Sequence, residues 1–475
     1  MLINGQWVDA TNNQVFDVTN PATGEVLGKV SDGGRAEAIA AVDAAEAAFP
    51  AWAGTTAFAR ADILRRAYDL MVERKEHLAT VMTTEQGKPL KAARVECQYA
   101  ADFLLWFSEE AKRVYGDILP SPRKDQRFMV LRQPVGVVGA ITPWNYPISM
   151  LTRKIAPALA AGCTVVLKPA EATPMCAIET FKILQEAGVP DGVINLVTAN
   201  EPAPIGDVFI NDPRVRKITF TGSTAVGKQL AAGAGQQMKR ISLELGGHAP
   251  FIVCEDADPI HAAKGAAAVK FLNTGQACIS PNRIYVHKNA LDAFTGELTK
   301  RVARLKAGNG LDEGIGIGPL VNDKAVAKVE RQVNDAVDKG AELLNGGARL
   351  LDDGLDKGHF FAPTVLSQIN SDMLIYREET FGPVAAIVAY DDDDDVIAMA
   401  NDTHYGLAAY VYTNQLARAM RLFEALNFGI VGINDINPTA AAAPFGGVKE
   451  SGLGREGGRQ GIDEYLDVKL GGFAI

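Results

Sequence analysis

The longest apolar stretch of the chain is Ile155-Ala-Pro-Ala-Leu-Ala-Ala-Gly-Cys-Thr-Val-Val-Leu167. It is too short to span a bilayer and contains Pro157, so we interpret it as a buried helix that leads into a buried strand. Short β-rich runs alternate with helical stretches around it, at 137–141, 164–168, 193–197 and 217–220. This alternation predicts a parallel sheet with helices on both faces.

A second series of strand-like runs follows Gly247 and predicts another α/β domain that ends near residue 435. Two further strand-like segments, 118–134 and 465–470, have no obvious sheet of their own. Ala-rich patterns with a helical period precede the first series. The strand-like runs of the second series are 250–253, 283–286 and 384–388, and the helical patterns are 36–49, 58–80 and about 89–114.

Length, charge and cysteine content restrict the class of protein. The 475 residues are too many for one compact core, so we expect two or three domains. A net charge of −10 argues against a nucleic-acid partner or an anionic membrane surface. The N-terminus lacks the pattern of a signal peptide, and the five cysteines show no zinc or redox spacing. We therefore expect a cytoplasmic protein without a metal site, in which the five aspartates 391–395 form a solvated loop.

A lone thiol and a lone carboxylate each lie next to glycines. Cys278 ends the run Phe271-Leu-Asn-Thr-Gly-Gln-Ala-Cys278, and Glu244 lies in Leu243-Glu-Leu-Gly-Gly247. Together they suggest covalent catalysis, in which the thiol forms an acyl intermediate and the carboxylate activates the water that breaks it. For the cysteine alone, a small buried apolar side chain is the commoner role.

Three other motifs follow predicted strands. Phe220-Thr-Gly222-Ser223 is a glycine-containing turn that offers N–H groups to a phosphate, although Ser223 also fits a helix N-cap. Lys168-Pro-Ala-Glu171 ends a strand, where a lysine and a carboxylate either hold a ribose or form a surface ion pair. Thr142-Pro-Trp-Asn-Tyr-Pro147 encloses Asn145, whose amide is either satisfied structurally or aimed at a developing oxyanion.

With these motifs the chain resembles the NAD(P)-dependent aldehyde dehydrogenase superfamily over essentially its whole length. The resemblance implies an α/β fold with two doubly wound parallel-sheet domains, one for coenzyme and one for catalysis, plus a β oligomerisation arm. The matching segments, in family order, are Thr142–Pro147, Lys168–Glu171, Phe220–Ser223, Leu243–Gly247, Gly275–Cys278, Glu378–Pro383 and Pro444–Gly447.

The resemblance also implies roles for individual residues. Cys278 corresponds to the nucleophile, Glu244 to the general base, and Asn145 with the Cys278 N–H to the oxyanion hole. Lys168 and Glu171 correspond to adenosine-ribose contacts, and the Glu171 carboxylate would favour NAD over NADP, although NADP stays possible. The implied coenzyme-binding residues are Trp144, Lys168, Glu171, Gly222, Ser223, Val226, Glu379 and Phe381.

The family fold further implies how the chain is divided. A homodimer or homotetramer is expected, because the arm presents strands that pair with another chain. The coenzyme-binding domain comprises 1–117 and 135–245, the arm 118–134, and the catalytic domain 246–435. Residues 436–464 return to the coenzyme-binding side, and 465–475 form the last oligomerisation strand.

Within the superfamily the chain is most similar to succinate-semialdehyde dehydrogenases. Arg153 is expected to hold a distal substrate carboxylate, since a guanidinium binds carboxylates by paired hydrogen bonds. Two departures are Leu272, where those enzymes usually have a second arginine, and 439–443, where they often have a serine. The expected substrate-pocket residues are Arg153, Tyr146, Met150, Leu272, Thr439 and Phe445.

Other functions stay open at this point. A single arginine would also serve lactaldehyde, glycolaldehyde or a longer substrate such as glutarate semialdehyde. A non-catalytic coenzyme-binding relative has the same fold. A thiol esterase would share Cys278 and Glu244 but would have no use for Lys168, Glu171 or Glu379.

Overall fold

The computed structural model describes residues 1–475 and contains four β-sheets with helices packed around them. The helices are α1 (Arg35–Ala53), α2 (Ala57–Glu73), α3 (Lys75–Gln86), α4 (Leu90–Glu110), α5 (Ser149–Ala161), α6 (Pro174–Glu186), α7 (Ala203–Asn211), α8 (Thr224–Gln236), α9 (Pro259–Lys270), α10 (Lys288–Val302), α11 (Asp323–Asp338), α12 (Leu374–Arg377), α13 (Asp393–Asn401), α14 (Leu416–Ala425) and α15 (Gln460–Asp463). The strands are β1 (Leu2–Ile3), β2 (Gln6–Trp7), β3 (Val15–Thr19), β4 (Val26–Ser31), β5 (Asp117–Leu119), β6 (Gln126–Pro134), β7 (Val137–Ile141), β8 (Thr164–Lys168), β9 (Ile194–Leu196), β10 (Val215–Thr221), β11 (Arg240–Glu244), β12 (Ala249–Val253), β13 (Pro281–His287), β14 (Glu342–Asn345), β15 (Thr364–Ser367), β16 (Val384–Tyr390), β17 (Ala408–Tyr412), β18 (Ile430–Ile433), β19 (Gly452–Leu453) and β20 (Leu466–Ala474).

Two large sheets carry the predicted α/β architecture. The first has the order β19-β11-β10-β7-β8-β9-β1-β2, and its neighbours from β11 to β9 run parallel. The second has the order β14-β15-β16-β13-β12-β17-β18, parallel from β15 to β18. Antiparallel strands occur only at the edges of both sheets, at β19, β1 and β2 in the first and at β14 in the second. The predicted α/β fold class is confirmed.

The longest apolar stretch forms a buried helix and a buried strand, as predicted. All thirteen residues of α5 are buried, and so are all five residues of β8. The helix ends at Gly162, whose φ of +97° places it in the left-handed region that favours glycine, and the chain then enters β8. Burial on every side explains why this segment is apolar without a helical period.

The predicted strand-like segments outside both domains pair with each other. β20 runs antiparallel to β6 over nine residue pairs, and β5 covers the other edge of β6. One set of side chains on this three-stranded sheet is both apolar and exposed. Its members are Ile118, Leu119, Met129, Leu131, Val468, Leu470 and Phe473.

The expectation of a loop was wrong for three residues of the acidic run 391–395. Asp393–Asp395 form the first turn of α13, and Asp392 is its N-cap, whose side chain accepts the Asp394 N–H. Carboxylates are favoured at a helix N-terminus because its N–H groups are unpaired there. Arg418 and Arg421 form ion pairs with this run from α14. No helix of the chain is both long enough and apolar enough to cross a bilayer.

Candidate active site

Four predicted site residues lie at the carboxyl ends of neighbouring parallel strands. Asn145 follows β7, Lys168 ends β8, Gly222 follows β10 and Glu244 ends β11. The carboxyl ends of parallel strands in an open α/β sheet form a common ligand-binding edge. The parallel order of the strands therefore brings together motifs that are about a hundred residues apart in the sequence.

The loop that carries Cys278 approaches this edge from the second sheet, just before β13. Three consecutive residues, Asn273, Thr274 and Gly275, have φ values of +50°, +59° and +73° and turn the chain sharply. Gly247 packs against the same loop, because a Cβ at this position would lie 2.3 Å from the Cys278 carbonyl oxygen. The glycine at 247 thus permits the close approach of the two main chains.

The Asn145 amide lies next to the nucleophile loop. Its Nδ2 atom donates to the main-chain carbonyl of Gln276 at 3.1 Å, and the residue is only 4% exposed. A carboxamide has two N–H donors, so one is still available for a ligand. Asn145 and Cys278 line the same cavity, which is the arrangement expected for a nucleophile and an oxyanion donor.

This cavity has a volume of about 260 Å³ and opens between the two large sheets. Eight residues predicted for the site contribute to its wall: Trp144, Asn145, Met150, Gly222, Ser223, Cys278, Glu379 and Phe381. The remaining wall residues were not predicted and are Pro143, Thr221, Leu245, Gly246, Ala325, Lys328 and Thr380. Most of these flank predicted motifs, whereas Ala325 and Lys328 come from α11, where no sequence motif pointed to a site.

Burial controls the protonation of the two candidate catalytic groups. The pKa of the Cys278 thiol is raised to about 12. Desolvation is the main cause, and the positive charge of Arg153 opposes it only in part. Desolvation also raises the pKa of the Glu244 carboxyl well above its usual value, with the nearby Glu456 carboxylate adding to the effect. Both oxygens of Glu244 are buried and have no hydrogen-bond partner. No group of the protein therefore competes for the two carboxyl oxygens, although Glu244 itself is not part of the cavity wall.

The groups predicted to bind the adenosine ribose form an ion pair. Lys168 Nζ lies 3.0 Å from Glu171 Oε2, and the Glu171 side chain is 48% exposed. Ser223 is the N-cap of α8, where its hydroxyl accepts the Val226 N–H at 3.4 Å. Ser223 therefore caps the helix, as its position in the sequence allowed, and it also lines the cavity.

Two rings and a carboxylate line the cavity, whereas Lys168 and Glu171 lie outside its wall. Trp144 and Phe381 meet edge to face with ring centroids 5.6 Å apart. Glu379 Oε1 accepts the N–H of Gly247 at 2.9 Å, which leaves its second oxygen available. Burial raises the pKa of the Glu379 carboxyl, while this hydrogen bond and the charge of Lys328 lower it. The donor set of carboxylates, lysine and ring faces fits a nicotinamide dinucleotide.

Arg153 does not line the cavity, contrary to the expectation that it projects into the same funnel as Asn145. It lies on the fully buried helix α5, is 1% exposed, and stacks against the rings of Phe103 and Phe445. Its Nη1 atom lies 3.5 Å from Glu456 Oε2. This is the alternative in which the arginine pairs with an acid of the protein. Its Nε and Nη1 atoms nevertheless have no hydrogen-bond partner.

Most other residues predicted for substrate binding also lie outside the cavity wall, and only Met150 belongs to it. Tyr146 has the Lys88 ammonium 4.0 Å from the centre of its ring. Leu272 is 43% exposed, and Thr439 donates a hydrogen bond to Asn437 at 3.4 Å. The spacing of a motif therefore identified the main-chain turn correctly, but it did not identify which side chains face the cavity.

Comparisons with known proteins agree with this geometry. The model of the aldehyde dehydrogenase family matches residues 7–470. The succinate-semialdehyde dehydrogenase (NADP(+)) of Escherichia coli is 51% identical over 468 residues, covering 98% of this chain and 96% of that protein. A glutarate-semialdehyde dehydrogenase of Pseudomonas putida is 50% identical over 467 residues, covering 98% and 96%.

A solved structure gives the same result for the fold. The crystal structure of an Escherichia coli NADP-dependent enzyme superposes with a TM-score of 0.98 at 50% identity, covering 100% of this chain and 98% of that chain. The match extends over both large sheets, the arm and every strand end that carries a predicted site residue. The chain belongs to the aldehyde dehydrogenase family.

Proposed function

We propose that the protein oxidises succinate semialdehyde to succinate with NAD, through a thioester on Cys278. The observation that carries this proposal is the cavity that Cys278 and Asn145 share, together with the buried carboxyl group of Glu244, which precedes the wall residue Leu245 and is near enough for its charge to affect the Cys278 thiol. A nucleophile, an oxyanion donor and a base are the three groups that aldehyde oxidation through an acyl-enzyme requires. A non-catalytic relative or a simple esterase would not need all three together with the Lys168–Glu171 and Glu379 sites.

The reaction follows from these positions. Cys278 releases its proton to solvent in the cavity, and the thiolate sulfur adds to the aldehyde carbon while the free N–H of the Asn145 amide stabilises the negative charge that develops on the oxygen. A bound oxidised nicotinamide would supply the acceptor for the hydride of this carbon, whose loss leaves a thioester on Cys278. The ionised form of Glu244 takes a proton from water, which attacks the thioester, and the leaving Cys278 sulfur takes up a proton as the carboxylic acid is released.

The excess of positive charge in the buried cluster around Arg153 supports a substrate that carries a negative charge. Arg153 and Lys154 both pair with a single acid, Glu456, so two cations share one carboxylate. Because burial favours the protonated form of Glu244, that group does not reliably supply the second negative charge. A substrate carboxylate would balance the cluster and would satisfy the unpaired Nε and Nη1 atoms of Arg153. Because Arg153 is enclosed, one of its covering rings has to move for this contact.

Glutarate semialdehyde is the second candidate substrate. It has the same two functional groups with one more methylene, and the Pseudomonas putida relative is named for it. Leu272 stands where succinate-semialdehyde dehydrogenases usually have a second arginine. With one arginine instead of two, the position of the distal carboxylate along the length of the substrate is fixed less tightly. A pocket discriminates poorly by a single methylene, which is worth only about 1–3 kcal/mol.

Three structural roles accompany this function. The first sheet would bind the coenzyme, the second would carry the nucleophile, and the β5–β6–β20 arm would join two copies of the chain, with the domain limits given by the sequence. The exposed apolar side chains of the arm lie on both faces of its sheet and support self-association, because exposed apolar surface and an open strand edge favour contact with another chain. The five cysteines are unpaired, and the cytoplasmic location stays a prediction.

Replacement of Glu244 by glutamine should separate the two half-reactions. Hydride transfer precedes hydrolysis, so a burst of about one NADH per active site should survive while steady turnover falls about a hundredfold. Stopped-flow absorbance of NADH measures both phases, and Cys278→Ala is the control that should give no burst. If the burst rate and the steady rate fall together, Glu244 does not act in hydrolysis alone.

Replacement of Arg153 by alanine tests the substrate. Loss of a charge-assisted hydrogen bond of about 1.5–3 kcal/mol should lower kcat/KM for succinate semialdehyde at least about tenfold. Butanal, which lacks the carboxylate, is the matched control and should lose less, since it loses only through the higher pKa of the Cys278 thiol once Arg153 is removed. Equal losses for both aldehydes would show that Arg153 is structural and would remove the support for a dicarboxylic semialdehyde.

Replacement of Glu171 by serine tests the coenzyme. A 2′-phosphate would meet the Glu171 carboxylate, and like charges at close range repel. We expect the wild type to prefer NAD, and the variant to gain about tenfold in kcat/KM for NADP. Similar kcat/KM values for NAD and NADP in the wild type would contradict the proposed role of Glu171.

Replacement of Val468 by aspartate tests the arm. Val468 is 69% exposed on β20, and a charge there should prevent a second copy from covering the sheet. Light scattering should show a dimer or tetramer for the wild type and a smaller species for the variant. Met238→Asp, at an exposed position outside the arm, is the control and should leave the assembly intact. A wild-type monomer at micromolar concentration would refute the proposal.

A further inference from the structure

A buried ion pair lies behind the turn that carries Asn145. Lys88, which follows α3, and Glu96, on α4, form this pair, and each side chain is only 1% exposed. Neither residue lines the cavity. Burial of two charges is costly unless their remaining hydrogen-bonding groups are also satisfied, so the other contacts of this pair reveal what it holds.

The ammonium group of Lys88 holds the main chain of Asn145. Its Nζ atom donates to the Asn145 carbonyl oxygen at 2.7 Å, in addition to its contact with Glu96. Asn273, in the loop that leads to Cys278, donates to the same oxygen from Nδ2 at 2.9 Å. A carbonyl oxygen has two lone pairs, and both are used here. Asn145 is therefore fixed from both sides, by Lys88 and by the nucleophile loop.

The carboxylate of Glu96 holds the other end of the same turn. Its Oε1 atom accepts the N–H groups of Ile148 at 3.1 Å and Ser149 at 3.2 Å, where α5 begins. These N–H groups have no partner within the helix, and a negative charge is favoured at a helix N-terminus. One ion pair thus grips the turn at Asn145 and again at the start of α5.

The turn needs this external support because it has little of its own. Pro143 and Pro147 have no N–H to donate, and the segment from 142 to 148 belongs to neither a strand nor a helix. Within it, the Asn145 side chain has to keep one N–H directed at the reacting oxygen. A displacement of about 1 Å in a catalytic group lowers rates about a hundredfold.

We propose that Lys88 and Glu96 are positioning residues, which hold the Asn145 main chain so that its amide and the Cys278 loop keep the geometry that stabilises the oxyanion. This inference rests on the oxyanion role of Asn145 in the proposed function. The pair acts through Asn145 and does not touch the substrate. It should therefore affect the formation of the thioester more than it affects coenzyme binding.

The experiment uses two variants of the full-length protein. Lys88→Met/Glu96→Gln leaves no unpaired buried charge and keeps an amide oxygen for the N–H groups of α5. Glu96→Gln alone keeps the Lys88 contact with Asn145 but leaves the buried ammonium without a counter-charge. The stopped-flow NADH burst with succinate semialdehyde reports the rate constant of the first half-reaction, and its amplitude counts folded active sites. We expect the double variant to lose about tenfold to a hundredfold in the burst rate constant. Burst amplitude per folded protein and the Kd for NAD should stay unchanged.

The same substitutions in an Asn145→Ala background separate positioning from general support of the fold. Asn145→Ala alone should slow the burst about a hundredfold to a thousandfold, as for the loss of one oxyanion donor. If the pair acts through Asn145, adding Lys88→Met/Glu96→Gln should then cost less than about twofold more. If the combined variant instead loses the product of the two separate decreases in burst rate constant, the pair does not act through Asn145 and the positioning role is overturned.

The control is another buried lysine, Lys217, which lies 3.5 Å from Glu464 and away from the cavity. Lys217→Met should lower thermal stability without changing the burst rate constant. A wild-type burst rate in the Lys88 and Glu96 variants would overturn the proposal, as would failure of both to fold, which would assign the pair to structure alone. A wild-type rate in Asn145→Ala is a different result, because it would refute the oxyanion assignment itself.

Discussion

Full burial of the Glu244 carboxyl group and partial burial of the Cys278 thiol are the constraint on which the rest of the site depends. Burial raises the pKa of both Cys278 and Glu244, so each group favours its neutral form in the free protein. The same exclusion of water strengthens every hydrogen bond aimed at the reacting oxygen. The site must therefore supply, through fixed groups such as the Asn145 amide, the stabilisation that solvent would otherwise give.

Fixed groups of this kind require a rigid main chain, and the Cys278 loop shows how the fold provides it. Asn273 and Thr274 adopt left-handed backbone conformations, which cost on the order of 1–3 kcal/mol each for residues other than glycine. Hydrogen bonds to a neighbouring segment of the chain offset this cost. The Thr274 hydroxyl both donates to and accepts from Gly318, and the Gln276 side chain is satisfied by the main chain at Pro319 and Val321. The nucleophile thus lies on a strained turn that hydrogen bonds to neighbouring segments hold in place.

Sequence reasoning identified the elements with a strong local signal. The apolar run 155–167, the strand end at Lys168 and the turn at Asn145 lie where the pattern predicted, because apolar runs and proline-containing turns are local properties. The strand β11, which ends at Glu244, was not predicted. The orientation of Arg153 was not predictable in this way. Its helix α5 is buried on every face, so its position in the sequence does not show which neighbour it meets. Lys328 and the Lys88–Glu96 pair escaped notice because only the packed tertiary structure brings them to the site.

The central claim is that Cys278 carries the acyl group from an aldehyde that ends in a carboxylate. Acid quenching during turnover with NAD and succinate semialdehyde, followed by intact-protein and peptide mass spectrometry, tests it most directly. The account predicts the added mass of one succinyl group on the peptide that contains Cys278, enriched in Glu244→Gln and absent in Cys278→Ala. An acyl group on another cysteine, or NADH formation without any acylated enzyme, would contradict the account.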